Sequence, residues 1–264
     1  MLSDMIQIEF LKNYFPTYLW NNPAQRKYML KEYIQLVILD YLSSSQYVNK
    51  IVFIGGTNLR LTKGIDRFSE DLDFDCKNLS NEEFIKMTDE VIVFLQRFGF
   101  RIETRDKPNA KLQAFRRNIF FPELLFELGL SGYRQERFLI KIESQDQKIY
   151  YKHKLETIKG CGLYFKFPVP TDEIMCAMKI SALLSRQKGR DFYDVMFLMQ
   201  HTKPDYTFLS ASNGIENQKQ LKEAFNAIIQ KTDLSHKAKD FEHLAFQERS
   251  IHKINLFKDF INDL

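Results

Sequence analysis

Hydrophobic and polar positions divide the chain into two regimes. Up to about residue 150, strand-like runs alternate with helical stretches; from Thr171 onward only the helical period remains. Ile51-Val52-Phe53-Ile54 is an apolar run of strand length that meets Gly55-Gly56 at once. Asp71-Leu72-Asp73-Phe74 alternates strictly. On a strand this puts both carboxylates on one face and turns Leu72 toward the core. Lys141 and Glu143 alternate with Ile140 and Ile142 in the same way, within a strand expected over 138–144. Further strands are expected near 100–104 and 114–121.

The helical signals are as local. Residues 1–20 are apolar and aromatic and predict partial helix. Asn22-Pro23 supplies a capping side chain and a proline at the first helical position. Tyr33, Ile34, Val37, Ile38, Tyr41 and Leu42 then recur at helical spacing until Ser43-Ser44-Ser45, as expected of a packing helix behind a sheet. Ser80 and Glu83 form a capping-box pattern ahead of Phe84, Val91, Ile92 and Leu95, and Gly99 ends that helix. Gly160, Gly162, Pro168 and Pro170 break the pattern. We place a boundary there, giving an N-terminal domain over 1–160 and a helical domain over 161–264. Helices are expected at 172–186, 191–201, 217–230 and 238–262. The fold class is α+β: a mixed-sheet core with N-terminal helices and a C-terminal helical domain.

Composition adds compartment more than chemistry. Of 264 residues 44% are hydrophobic and 27% charged, the balance of a soluble globular chain, and 24 Phe with 12 Tyr predict an aromatic core. No apolar run approaches the ~20 residues that span a membrane, and MLSDMIQIEF has no signal-peptide pattern. Cys76, Cys161 and Cys176 lie far apart, as reduced thiols of a cytoplasmic protein rather than a disulfide framework. The expectation is a cytoplasmic protein with no membrane association. The five histidines form no ligand-like cluster. A net charge of +4 leans weakly toward polyanions. Residues 97–117 lean further, with seven Lys or Arg (97, 101, 105, 107, 111, 116, 117) against Glu103 and Asp106. Basic strand edges are common, but such a rim also suits an RNA backbone.

The candidate chemistry centres on Asp71 and Asp73. Two carboxylates on one strand face repel each other, and the arrangement persists mainly where a cation sits between them. A solvated acidic strand end is the plain alternative. Clean alternation and the Gly-Gly turn upstream favour a metal, and hard Mg²⁺ shared with substrate phosphates suits two carboxylates. Gly55 and Gly56 let backbone approach a ligand, and the amides opening the next helix favour an anion.

Three blocks in order, GGTNLRL, RFSEDLDF and KISALLSRQKGRDFYDVMFL, resemble the AbiEii/MenT-type toxin nucleotidyltransferases of bacterial defence systems. The matching blocks are scattered over about 51–200. The resemblance implies a nucleotidyltransferase core and Mg²⁺-dependent transfer of NMP from an NTP to an RNA acceptor such as the tRNA 3′ end. It further implies a toxin–antitoxin or phage-defence setting, with a cognate antitoxin as partner. Carried onto this chain, Gly55, Gly56 and Thr57 hold the triphosphate, and Asp71 and Asp73 ligate the metal. Arg67 is a phosphate or fold-stabilising contact, and Ser69 is a regulatory position beside the acids. Glu143 is the third acid, as metal ligand or as base. Lys179 contacts the donor triphosphate, and Asp191 is needed for activity. Asp194 is an alternative to Asp191, or a partner for Arg190 or Arg186. Lys179, Leu183 and Arg186 share one helix face. Two other readings stand beside this one. The same core could modify a small-molecule or protein hydroxyl. An inactive binding module is the other, and Asp71, Asp73, Lys179 and Asp191 together speak against it.

Overall fold

The computed structural model describes residues 8–104 and 115–264. The start of the strand expected at Ala114, the helical reading of residues 1–7, and Arg105, Lys107 and Lys111 of the basic rim lie outside these. The described chain opens with a 3₁₀ turn, Ile8–Asn13, and one helical turn, α1 (Thr17–Trp20). α2 (Pro23–Ser43) begins as its sequence dictates: the Asn22 side chain accepts from the Ala24 amide, with Pro23 at the first position. β1 (Ile51–Ile54) leads directly into α3 (Gly55–Lys63), and β2 (Asp71–Cys76) follows. α4 (Asn81–Arg97) carries the complete Ser80/Glu83 capping box. β3 is reduced to Glu103–Thr104. β4 (Phe115–Phe120), the short α5 (Leu124–Glu127) and β5 (Leu139–Gln145) complete the sheet region.

The five strands are ordered β1-β2-β5-β4-β3. β2 runs parallel to β5, and the other pairs are antiparallel. One face carries Leu72, Phe74, Ile119, Ile140 and Ile142, all buried. Phe84 of α4 packs on Phe115 at that face. The opposite face carries the acids.

Beyond β5 the sequence expectation fails locally. Residues 160–170, read as a break, form a hairpin of β6 (His153–Gly160) and β7 (Leu163–Pro170). Cys161 and Gly162 make its two-residue turn with φ of 47° and 81°. That left-handed pair matches the twist of the strands. Pro168 and Pro170 are tolerated because a two-stranded ribbon leaves amides without ladder partners. Phe167 of β7 packs against Phe53 and Phe74.

The chain divides into two compact units. The first takes Met1–Gly64, Phe68–Gln147 and Leu155–Val169, and holds the sheet. The second takes Ile65–Arg67, Lys148–Lys154 and Pro170–Leu264. Its helices are α6 (Asp172–Arg186), α7 (Gly189–Met199), α8 (Tyr206–Asn213), α9 (Gln218–Ile229), α10 (Leu234–Lys239), α11 (Glu248–His252) and α12 (Phe257–Asn262). The single helix expected over 238–262 is a broken series with 3₁₀ turns at Glu242–Leu244 and Lys253–Leu256. Buried Ala238, Phe241 and Leu244, and again Ile251, Ile254 and Phe257, recur every three residues. That is the 3₁₀ period rather than the α-helical one. Phe257 meets Phe192 and Phe225 edge-on in this core. The three cysteines are free and buried.

Candidate active site

The sheet register assembles the acids. β2 against β5 pairs Asp71 with Lys141 and Asp73 with Glu143. β4 against β5 pairs Asn118 with Lys141 and Arg116 with Glu143. Partners in register share a face, so Asp71, Asp73, Lys141, Glu143, Arg116 and Asn118 form one polar patch. Ion pairs run through it: Lys141 Nζ lies 3.2 Å from Asp71 and 3.7 Å from Glu143, and Arg116 Nε lies 2.8 Å from Glu143. Three carboxylates and two cations leave the patch net negative. Asp75 is also on this face but is buried, and its Oδ1 accepts from the Gln147 amide at 2.9 Å. That carboxylate ties the end of β5 to β2.

The glycine turn is fitted to the acids. Gly55 has φ +83°, a left-handed backbone, and a Cβ built on it would fall 2.2 Å from Asp73 Oδ2. The close approach that the Gly-Gly pair predicts is therefore to a carboxylate of the patch. Ile54 at the cap position accepts no hydrogen bond through its side chain, so the helix amides from Gly55 onward carry no side-chain cap. Thr57 and Asn58 are buried and hold the turn in place. The Thr57 hydroxyl donates to the Asp71 carbonyl, and Asn58 Nδ2 donates to the Phe53 carbonyl at 2.6 Å. Gly55→Ala should thus cost ~1–3 kcal/mol of stability from backbone strain alone and displace Asp73. A thermal melt paired with a transfer assay reads both; an unshifted melt with wild-type transfer would reject the fit.

The other expected site residues each have partners of their own. Ser69 is buried, and its carbonyl accepts from Gln35 Nε2 at 3.3 Å. Arg67 and Lys179 belong to the second unit. Arg67 is 1% exposed and grips Asp194 with two hydrogen bonds, 2.7 and 2.6 Å. Lys179 Nζ donates to the same carboxylate at 2.7 Å. Burial alone would raise the Asp194 carboxyl, but Arg67 and then Lys179 outweigh it and hold it down at about 2. Burial lowers Lys179, against the pull of Asp194. Asp191 is fully buried and takes Arg186 through two contacts, 2.9 and 2.7 Å, while accepting the Lys188 amide. The partner expected for Asp194, Arg190 or Arg186, is therefore replaced by Arg67 and Lys179. Neighbouring Asp66 accepts from the hydroxyls of Tyr193 and Ser250.

The basic rim is less free than its sequence count suggests. Arg101 meets Glu123 and Glu127, Arg117 meets Asp89, and Arg116 belongs to the acid patch. Other cations near the acids come from α2, which the sequence marks only as a packing helix. Lys31 pairs with Glu70 at 3.6 Å, and burial lowers its pKa against Glu70 and Asp71. Lys27 and Lys31 sit four apart, the one available signal.

Among the described residues no group of three or more His, Cys, Asp or Glu is placed as a metal cage. The donor set nonetheless fits a hard divalent ion. Such an ion is commonly held by one or two carboxylates plus substrate phosphates, and Asp71 and Asp73 supply two carboxylates from adjacent same-face positions. Among the described residues no helix is long and apolar enough to cross a membrane.

Comparison with known proteins gives the family and the fold. The family model described as nucleotidyl transferase AbiEii toxin, type IV TA system, matches residues 37–263. No curated protein matches. Among solved structures, the MenT4 nucleotidyltransferase toxin of Mycobacterium tuberculosis H37Rv superposes with a TM-score of 0.60 at 16% identity, covering 98% of this chain and 90% of that one. JHP933 of Helicobacter pylori gives 0.54 at 20% identity, covering 89% and 92%. At these identities the structural likeness speaks for the fold.

Proposed function

Since the chain belongs to the AbiEii nucleotidyl transferase toxin family of toxin–antitoxin systems, we propose that it transfers NMP from an NTP to an RNA 3′ hydroxyl, the tRNA 3′ end being the specific acceptor. The patch that β2, β4 and β5 build over Gly55 is the single observation that carries this reading. The glycine turn receives the triphosphate on backbone amides, where an uncapped helix end favours negative charge. Asp71 and Asp73 hold the divalent ion, Mg²⁺ in this reading, which when bound neutralises phosphate charge and lowers the pKa of the attacking hydroxyl. Glu143, in register with Asp73, takes the hydroxyl proton. The acceptor oxygen bonds to the α-phosphorus, the bond to the bridging oxygen breaks, and pyrophosphate leaves. Positioning and charge carry most of such a reaction.

Lys179 as a donor contact and Asp191 as an activity requirement rest on the family resemblance. Their surroundings are ion pairs, so their variants call for a stability measurement beside the activity. A cognate antitoxin completes the proposal.

The test incubates purified protein with each labelled NTP, Mg²⁺ and total RNA. Label on RNA that disappears in Asp71→Ala is expected. Label found only on protein or on a small hydroxyl compound would replace RNA as the acceptor. No label anywhere, or an Asp71→Ala protein equal to wild type, would overturn the reading.

A further inference from the structure

Within the first unit, a cavity of about 340 Å³ opens beside the acid patch and is lined by Asp71 and Lys141. Its size suits one nucleotide, at the low end of ligand pockets. Its remaining walls come from α2, from β4 and β5, and from the loop leading into β5: Lys27, Tyr28, Lys31, Asn118, Arg137 and Phe138 are among them. The glycine turn is not part of its lining. β2 lies between β5 and β1, which ends at Ile54 just before Gly55. The cavity therefore meets Asp71 from the β5 side, opposite the turn that receives a triphosphate.

The lining is built for an anion carrying a flat ring. Lys27, Lys31 and Lys141 pair with Glu136, Glu70 and Asp71 at 3.6, 3.6 and 3.2 Å, and Arg137 is the cation in excess of these three pairs. Lys31 is held largely out of water, with its ammonium 5.7 Å from the centre of the Phe138 ring. Lysines are rarely buried unless paired, and its pairing to Glu70 is long at 3.6 Å. Arg137 is exposed at the rim. Half-buried Tyr28 adds aromatic surface on which a base of any identity can stack, and Phe138, 4% exposed, closes the wall behind Lys31.

We propose that this cavity is the subsite for the 3′-terminal nucleotide of the RNA acceptor. Lys31, Lys27 and Arg137 meet its phosphate, Tyr28 its base, and its 3′ hydroxyl lies toward Asp71. The proposal rests on the reading of the chain as an RNA nucleotidyltransferase. It adds α2, which no catalytic motif touches, to the machinery that chooses the acceptor.

The test uses the full chain and three variants, Lys31→Ala, Arg137→Ala and Tyr28→Ala. Binding of a 5′-fluorescein single-stranded oligoribonucleotide is followed by anisotropy over a salt series, and NTP–Mg²⁺ binding by calorimetry. Each variant is expected to weaken RNA about tenfold. Lys31→Ala and Arg137→Ala should also lower the salt slope by about one. NTP affinity should stay within about twofold, and the acceptor KM should rise while kcat at saturating acceptor holds. Arg137→Ala, at an exposed position, guards against a folding defect. RNA affinity unchanged in Arg137→Ala and Tyr28→Ala would overturn the proposal; so would a parallel fall in NTP affinity, which would assign the cavity to the donor. If wild type labels RNA and the variants keep its KM, the subsite falls and the RNA reading stands. If wild type labels no RNA, both fall.

Discussion

Asp73→Asn is expected to abolish nucleotidyl transfer while leaving the protein folded. The carboxylate is half-exposed on the polar sheet face, so the amide fits with little change in packing. The chemistry loses more. A divalent ion held at the transferring phosphate contributes several kcal/mol of charge stabilisation, and about 4 kcal/mol corresponds to about 10³-fold in rate. Asp75→Asn is the matched control. It lies two residues on, on the same face, but is buried and accepts the Gln147 amide. It should lower the melting temperature and leave the turnover of the folded fraction near wild type. Asp73→Asn within tenfold of wild-type turnover, at saturating metal and NTP, would remove this carboxylate from the site.

The largest stability effect is expected at Asp194. Both of its oxygens are engaged by Arg67 and Lys179, and all three side chains are buried. Asp194→Ala strands two cations in a dry interior. Breaking a buried pair from one side costs about 3–5 kcal/mol, against a total of about 5–15 kcal/mol for a typical protein. A urea midpoint should fall steeply, or the variant should be recovered insoluble.

The pH dependence has a definite sign. The Asp194 carboxyl is at about 2 in the folded chain against an ordinary 3.8. Its contribution is therefore complete above pH ~4 and is lost as pH falls through 2, amounting to ~2 kcal/mol. The difference in stability between wild type and Asp194→Asn should shrink over that window. A difference that stays constant from pH 4 to 2 would reject the assignment.

Much of the patch was legible beforehand. Strict alternation in DLDF and IKIE put Asp71 with Asp73, and Lys141 with Glu143, on shared faces, and the sheet shows those faces. Caps were legible because a cap and the amide it accepts lie two or three residues apart, as at Asn22 and Ser80. The hairpin at 153–170 was not, because the same glycines and prolines serve a tight turn and a break equally well. The broken helices after residue 233 escaped because a three-residue burial repeat resembles a ragged helical stripe.

By itself the sequence determined the strand faces, the helix starts and the glycine turn, all of which depend on spacings of a few residues, and three ordered blocks carried the family resemblance. Tertiary structure decided which charges meet. Arg67 and Asp194 are 127 positions apart, and Lys31 joins the cavity beside Asp71 only because α2 folds back along it. Local periodicity says which way a side chain faces. Only the closed chain says what stands opposite, because an ion pair between distant residues leaves no spacing to read.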